Sequence, residues 1–272
     1  MPELGTSRRA FRWLLVAVVA PLAVMVFRQA GITPGDLWRP GAADRLAIVL
    51  TGLRLPLDDG AFWQESAWAL VDTVAIAGVG TALALLIGGL LAVFGSRAVV
   101  GRFVAGESPI WPVRGGGVLV RGLALLLRSI PEVIIGCVLV RVLGLGPAAA
   151  VGALALAYGG MIAKVWGEQL ETVRGGAATA LAAGGAGPLA QLVWARLPDA
   201  LPGFAGYATY RFECAVRASA ILGYVGGGGL GQAMDMTFQA GDFGRLLAQI
   251  ILLIAAVAVV EVLADRIQAR LR

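Results

Sequence analysis

Several long apolar runs limit what this chain can fold into. Each approaches the roughly 20 apolar residues that a helix rising 1.5 Å per residue needs to cross a hydrocarbon core about 30 Å thick. Lipid offers the backbone no hydrogen-bond partner, so runs rich in Ala, Leu and Val predict helices. With 58% hydrophobic and 14% charged residues and a mean hydropathy of +0.82, the chain is predicted to be an all-α, polytopic membrane protein.

Six spans are predicted, over residues 13–27, 67–94, 118–143, 147–165, 204–224 and 246–263. Arginines precede the first span and follow the last one, so the positive-inside rule places both termini in the cytoplasm. The pair Arg8-Arg9 also resembles a twin-arginine export signal. No small-residue cleavage site follows the apolar region, which favours a membrane anchor over a cleaved signal.

Four segments between the spans have turn or charged residues. Residues 28–66 are expected to be irregular or interfacial, and the arginines after the second span, Arg97, Arg102 and Arg114, predict a cytoplasmic loop. Residues 167–203 predict a cytoplasmic helical hairpin that reverses at Gly184-Gly185, with a second short helix from Pro188 to Leu197-Pro198. A glycine-rich loop is expected before the last span. We therefore divide the chain into residues 1–66 and a core of residues 67–272, with the hairpin at about 168–200.

Missing residue types exclude much chemistry. The sequence has no His and no Asn, and its single lysine, Lys164, follows Ala163, so there is neither a His-dependent site nor a P-loop. We predict no catalytic residue, no metal site and no cofactor bound by this chain; any ATP hydrolysis must come from a partner. Cys137 and Cys214 lie in apolar runs without CxxC spacing, which favours buried hydrophobes over a disulfide or metal pair. The pI of about 9.9 reflects basic flanks of membrane helices, not nucleic-acid binding.

Three charged residues lie inside the fifth predicted span. Arg211, Glu213 and Arg217 are functional candidates, because a charge at mid-bilayer costs about 2.5 to 3.5 kcal/mol on insertion scales. Arg217 lies four residues after Glu213 and can pair with it, whereas Arg211 points elsewhere. A structural ion pair that only fixes helix packing is the alternative.

The third predicted span contains Arg128, Ser129, Pro131 and Glu132. Proline lacks an N–H group, so we expect a kink at Pro131. A kinked helix with a nearby carboxylate suits a gate or a solute pathway. Glu132 could equally pair with Arg128 one turn earlier and contribute only to packing.

Gly226, Gly227, Gly228 and Gly229 begin a run that formally matches the dinucleotide pattern GxGxxG. No strand precedes the run and no βαβ unit surrounds it, which argues against a nucleotide site. The glycines fit close helix approach and a flexible gate at the outer end of the fifth span.

The hairpin resembles the cytoplasmic loop of membrane subunits of binding-protein-dependent ATP-binding-cassette importers, which carries an EAA…G…LP motif. The matching residues are Thr179, Ala180, Leu181, Gly185 and Leu197-Pro198. The resemblance implies a type I importer permease fold in which this stretch is the coupling helix that docks on the ATPase. Thr179 stands where the motif usually has a glutamate, so a salt bridge from that position to the ATPase is absent.

Three further stretches, residues 128–132, 210–219 and 221–231, resemble phosphonate-type, PhnE-like permeases. Ala215 stands where that group is expected to have Asn. The resemblance implies an inner-membrane importer subunit for phosphonate, phosphite or a related phosphorus oxyanion. It further implies a homodimer, a periplasmic substrate-binding protein and a cytoplasmic ATPase that uses Mg-ATP.

Three alternatives remain open from the sequence. The first is a permease of the same class for another small solute such as methionine. The second is an intramembrane enzyme that uses Ser129 or Ser219, although no His or suitably placed Lys could activate either serine. The third is a membrane scaffold without transport activity.

Overall fold

The computed structural model describes Trp13, Gly31 and residues 16–22, 24–25, 28–29, 41–96, 111–173 and 176–271. The chain forms two compact units, residues 1–53 and 54–272. In the first unit, residues 16–22 are helical and helix α1 covers Ala42–Gly52. The sequence predicts an irregular or interfacial segment over residues 28–66. Within that segment the structure shows a regular helix, Ala42–Gly52. Arg97 and Arg102 of the predicted loop lie outside the described residues. Arg114, which was predicted to lie in the same loop, is instead part of the helix Trp111–Ser129.

The second unit is helical along its described length. In chain order its helices are α2 (Gly60–Gly95), α3 (Trp111–Ser129), α4 (Glu132–Leu143), α5 (Pro147–Thr172), α6 (Gly176–Ala183), α7 (Pro188–Gln191), α8 (Leu197–Leu222), α9 (Gly229–Gln239) and α10 (Phe243–Leu271). Two π-helical turns, Leu192–Arg196 and Gly223–Gly227, join α7 to α8 and α8 to α9. The start of α2 is capped by Asp59, which accepts a hydrogen bond from the Phe62 N–H at 3.1 Å.

Three helices in the described part of the chain are long and apolar enough to cross a membrane, Gly60–Gly95, Pro147–Thr172 and Phe243–Ala269. The bent pair formed by α3 and α4 would make a fourth crossing. Helix α8 has 26 residues, enough length to cross, but it is not in that set and it carries Arg211, Glu213 and Arg217. The all-α polytopic fold is confirmed, and crossings by α8 and by residues 13–27 stay predictions.

Small residues allow α2 and α5 to pack closely. A methyl group at Gly88 would lie 2.6 Å from the Cβ atom of Ile162, and one at Gly80 would lie 2.9 Å from that of Leu154. Close backbone approach through small residues is typical of helix packing in lipid. The buried core that forms between α2, α5 and α8 includes Tyr158 and Val216. This core positions the charged part of α8.

Pro131 separates α3 from α4, and the two helices meet at 90°. Its ψ of 137° is extended, and its carbonyl accepts hydrogen bonds from the N–H groups of Ile134 and Ile135 at 3.0 and 3.3 Å. A proline ring clashes with the carbonyl four residues earlier, which explains why the helix stops here. The predicted kink at Pro131 is confirmed and is a full break between two helices.

Two local predictions are wrong. The second helix of the hairpin does not end at Leu197-Pro198, because the π turn before it leads directly into α8. The wider turn, in which the Leu197 N–H bonds the Leu192 carbonyl, accommodates the missing N–H of Pro198. The expected glycine-rich loop is instead the second π turn followed by helix α9.

Candidate functional site

The candidate residues fall into four groups, three of them along α8 and the fourth, residues 128–132, at the break between α3 and α4. Leu197 and Pro198 begin α8 next to the hairpin, Arg211 and the Glu213–Arg217 pair lie in its middle and second half, and the glycine run follows its end. The structure thus places three of the four groups on or beside one helix. It does not bring the hairpin residues into contact with the glycine run.

The hairpin reverses at Gly185. This residue has φ +79°, and the Ala186 N–H bonds the Leu181 carbonyl at 2.9 Å while the Gly185 N–H bonds the Ala182 carbonyl at 3.1 Å. These two hydrogen bonds form a Schellman motif, in which a left-handed residue ends the helix and glycine is strongly preferred. The reversal predicted from Gly184-Gly185 is confirmed at Gly185.

The base of the hairpin is anchored to α5. Arg196, which is largely buried, donates from Nη1 to the Leu170 carbonyl at 2.8 Å. Leu170 and Leu192 share a small core with Phe204, whose ring stacks on Trp166 with centroids 4.4 Å apart. The base of the hairpin is therefore packed against both α5 and the start of α8.

The remaining face of the hairpin carries exposed apolar side chains. Leu189, Val193 and Trp194 are 61%, 42% and 76% exposed. We call these three residues the hairpin face. Thr179 and Ala180 on α6 are also exposed, and Thr179 donates its hydroxyl to the Gly176 carbonyl at 2.9 Å. Exposed large apolar side chains that cluster on a reversal suit a protein contact.

The charges of α8 separate into a pair and a single cation. Arg217 forms an ion pair with Glu213, as the spacing of four predicts, and the Glu213 side chain is mostly buried. Arg211 makes no ion pair with any described residue. Its Nε donates to the Tyr207 hydroxyl at 2.8 Å. The prediction that Arg211 points away from Glu213 is confirmed.

Three tyrosine rings surround the Arg211 guanidinium. Its carbon lies 5.0 Å from the Tyr207 ring centroid, 5.2 Å from that of Tyr158 and 5.4 Å from that of Tyr210. Cation–π contacts contribute about 0.5 to 2 kcal/mol each, and more where the cation is better shielded from water. We call Tyr158, Tyr207 and Tyr210 the tyrosine cage. The sequence analysis missed it, although the spacing of four from Tyr207 to Arg211 was a readable signal for one member.

The break at Pro131 lies beside this cage. A methyl group at Gly160, two residues after Tyr158 on α5, would lie 2.8 Å from the backbone nitrogen of Arg128, just before the break. Glu132 is the first residue of α4, just after the break. No ion pair joins Glu132 to Arg128 within the described residues, so the packing alternative lacks its salt bridge. Ser129 donates to the Leu125 carbonyl at 2.6 Å, which is a local helix bond and no sign of a nucleophile.

Arg128 faces a different space. It lines a cavity of about 330 Å³ between α2, α3 and α5, together with Arg121 and Lys164. Arg121 donates to the Gly95 carbonyl at 2.9 Å, and Lys164 pairs with Glu168. Arg128 and Glu132 therefore belong to different environments on either side of the break.

The glycine run fits tightly against its neighbours. Gly226, Gly228 and Gly229 have φ of +103°, +88° and +69°, which other residues rarely adopt. The Gly226 carbonyl accepts a hydrogen bond from the Gly146 N–H at 2.9 Å, and a methyl group at Gly227 would lie 2.7 Å from the Ala150 Cβ atom. The close approach predicted for these glycines is present.

A buried hydroxyl network fixes the same region to α2. Thr73 accepts a hydrogen bond from the Leu230 N–H at 2.8 Å, and its carbonyl accepts one from the Ser219 hydroxyl at 3.1 Å. Ser219 is thus a packing residue, which leaves the intramembrane enzyme without support. Cys137 and Cys214 are free, but Cys137 is exposed and Cys214 only partly buried, so the prediction that both are buried is wrong. The described residues contain no group of three that could hold a metal ion.

Comparison with known proteins decides the family. Residues 97–272 match the family described as binding-protein-dependent transport system inner membrane component, which is more than half of the chain. The chain belongs to this family. It is therefore a membrane component of a transport system, and the resemblance to importer permeases stated from its motifs is confirmed.

Individual relatives of this permease agree with that assignment. It is 33% identical over 215 residues to the phosphite transport system permease protein PtxC of Stutzerimonas stutzeri, which covers 78% of this chain and 73% of PtxC. It is 36% identical over 151 residues, 56% of this chain, to HtxE of the same organism and spans 58% of that protein's length. A solved chain of the MetNI methionine ABC transporter, in an inward-facing conformation, has a TM-score of 0.63 with 25% identity and covers 79% of this permease and 99% of that chain.

Proposed function

We propose that this chain is the transmembrane permease subunit of an ATP-driven importer for phosphonate, phosphite or a related phosphorus oxyanion. A periplasmic substrate-binding protein delivers the solute to the bacterial inner membrane, and a cytoplasmic ATPase binds Mg-ATP. The permease binds no cofactor itself and works by alternating access, as a homodimer with the path along the dimer interface. Residues 1–66 supply an N-terminal span and a periplasmic loop, and residues 67–272 form the permease core.

The hairpin is the observation that carries this proposal. Its motif residues Thr179, Ala180, Leu181, Gly185, Leu197 and Pro198 couple the permease to the ATPase. Without a carboxylate at Thr179, docking relies on the apolar hairpin face, where Trp194 is the largest exposed side chain. Closure of the ATPase moves the hairpin, and α8 carries this displacement to the middle of the membrane.

The pathway lies around the second half of α8. The proposed gate and pathway residues are Arg128, Ser129, Pro131, Glu132, Arg211, Glu213, Arg217, Gly226, Gly227, Gly228 and Gly229. The break at Pro131 gives a joint at which α4 can rotate against α3. The glycine run packs tightly against its neighbours, and a side chain added there would prevent this packed arrangement. We therefore assign the glycine run to a gate that alternates between a packed and an open arrangement.

The cargo class rests on relatives and on charge. PtxC is named as a phosphite permease, and Arg211 supplies a cation without a carboxylate partner among the described residues. A second cargo deserves a test, because the solved MetNI chain belongs to a methionine transporter. A zwitterionic amino acid would need an anionic contact as well as a cationic one.

The decisive measurement is the ATPase activity of the purified complex with its cognate ATPase. The complex is tested with binding protein loaded with phosphite, a phosphonate, phosphate or methionine, and with unloaded binding protein as the control. We expect stimulation by a receptor loaded with a phosphorus oxyanion. Stimulation by the methionine receptor alone would overturn the cargo, and solute uptake that continues without the ATPase would overturn ATP coupling.

A further inference from the structure

Arg211 lies near the middle of α8 and next to the middle of two neighbouring helices. Tyr158, which its guanidinium contacts, is near the centre of α5, and a methyl group at Gly78, near the centre of α2, would lie 4.0 Å from the Phe212 ring. The guanidinium therefore sits about halfway through the helical bundle. Ionisable groups at this depth usually face a partner or an aqueous path.

Arg211 has hydrogen-bonding capacity that the described protein does not use. Its Nε is bound to Tyr207, but no acceptor for its two terminal nitrogens is found among the described residues. The nearby carboxylate of Glu213 pairs with Arg217 instead. The tyrosine cage contacts the guanidinium through ring faces and leaves its terminal N–H groups available.

Tyr158 adds a second donor beside the guanidinium. The residue is only 3% exposed, and its hydroxyl makes no hydrogen bond within the described part of the chain. The hydroxyl is unpartnered but not fully buried, so it can donate a hydrogen bond to a group that enters the site. Both groups donate, which matches an anion and not a cation.

We propose that Arg211 and the Tyr158 hydroxyl form a subsite for a tetrahedral oxyanion at mid-depth in the permease. A planar guanidinium binds two oxygens of a phosphite, phosphate or sulfate in a bidentate manner. The transported anion occupies the subsite only briefly. That this anion is the cargo of the importer rests on the function proposed above. Tyr207 is a positioning residue that fixes the guanidinium through Nε.

Glu132 opposes the anion from the side of α4. It begins α4, which packs against α5, the helix that carries Tyr158, and a carboxylate on this side repels an anion held at the subsite. This repulsion keeps the subsite weak, which suits a solute that must leave again. Neutralising Glu132 therefore strengthens oxyanion binding.

Direct binding tests the subsite without requiring transport. Phosphite is titrated into the purified permease–ATPase complex without binding protein or nucleotide, and ³¹P line broadening is measured; phosphate and sulfate are titrated as competitors. We expect saturable binding that Arg211→Gln weakens by about tenfold or more and Tyr158→Phe by about threefold to tenfold. Arg211→Lys, which keeps the charge but not the bidentate geometry, gives an intermediate affinity.

Two further variants make the result specific. Glu132→Gln tightens binding, whereas Arg141→Gln, which removes an exposed charge at the far end of α4, leaves it unchanged. Wild-type complex without saturable binding overturns the proposal. Equal phosphite affinity of the wild type, Arg211→Lys and Tyr158→Phe also overturns the proposal. This comparison does not require Arg211→Gln to fold.

The outcomes separate this subsite from the proposed function. Binding that depends on Arg211, combined with ATPase stimulation by the methionine receptor alone, supports the subsite and overturns the cargo. Tighter binding of sulfate than of phosphite supports a subsite for tetrahedral oxyanions and contradicts phosphite as its ligand. Stimulation by a phosphite receptor together with unchanged binding in all Arg211 variants overturns the subsite and leaves the importer standing.

Discussion

Two buried threonines of α2 differ in what their hydroxyls contact. Thr73 donates to the Ala69 carbonyl at 3.0 Å and accepts from the Leu230 N–H, which fixes the start of α9. Thr81 is equally buried, but its hydroxyl has no hydrogen-bond partner among the described residues. Both residues are threonines on the same helix, so the difference in hydrogen bonding comes from their surroundings alone.

Replacing each threonine by valine measures this difference. Thr73→Val leaves the buried Leu230 N–H without an acceptor and is expected to lower the free energy of unfolding by about 1 to 3 kcal/mol. Thr81→Val removes an unsatisfied hydroxyl at nearly constant shape and is expected to be neutral or stabilising. Thermal unfolding of the purified permease checks both variants. Equal melting temperatures for the two would contradict the assignment.

At the scale of elements, α8 links the hairpin to the cage and the glycine run. It is an unbroken helix of 26 residues, about 39 Å long at 1.5 Å per residue. Pro202 lies inside the helix, where it removes one backbone hydrogen bond without ending the helix. A displacement at Leu197 is therefore expected to reach Arg211 along one continuous helix. Apart from its base, the hairpin presents an apolar face to its surroundings.

The hairpin face predicts the effect of a single truncation. Trp194→Ala is expected to weaken binding of the partner ATPase by about 30-fold, because a large exposed aromatic residue at a docking surface is a typical hot spot. Trp68→Ala is the matched control, since Trp68 is 65% exposed on α2 but outside the hairpin. Affinity is measured by titrating ATPase onto immobilised permease. An equal loss in both variants would show a general effect of removing tryptophan.

For the whole molecule, the proposed orientation puts the hairpin and the α9–α10 connection on opposite sides of the membrane. Gly187 is exposed in the hairpin, and Ala240 is exposed after α9. Both positions have room for a small side chain, and neither belongs to a proposed site. They are suitable positions for accessibility labelling.

Cysteine labelling tests this orientation. In a background with Cys137→Ser and Cys214→Ser, Ala240→Cys is expected to react with a membrane-impermeant maleimide in cells whose outer membrane is permeabilised. Gly187→Cys is expected to react only after the inner membrane is opened as well. The reverse pattern would invert the topology, and reaction of both cysteines from outside would contradict a cytoplasmic hairpin.

Local sequence signals determined much of this protein. Apolar length predicted helices, and Pro131 predicted a kink, which the structure shows as a full break. Gly184-Gly185 predicted the reversal, and a spacing of four predicted the Arg217–Glu213 pair. Each of these features depends on residues within a few positions of one another, where backbone geometry alone sets the distance. The motif around the hairpin pointed to the family for the same reason.

Tertiary structure decided which distant residues meet. Tyr158 joins the cage from α5, Thr73 rather than Thr81 receives the Leu230 N–H, and Arg128 and Glu132 face different spaces despite their spacing of four. Pro198 was expected to end a helix, but packing around Leu170 and Arg196 holds a π turn that continues into α8. These outcomes depend on which helix faces pack together, and in an apolar chain many faces are chemically alike.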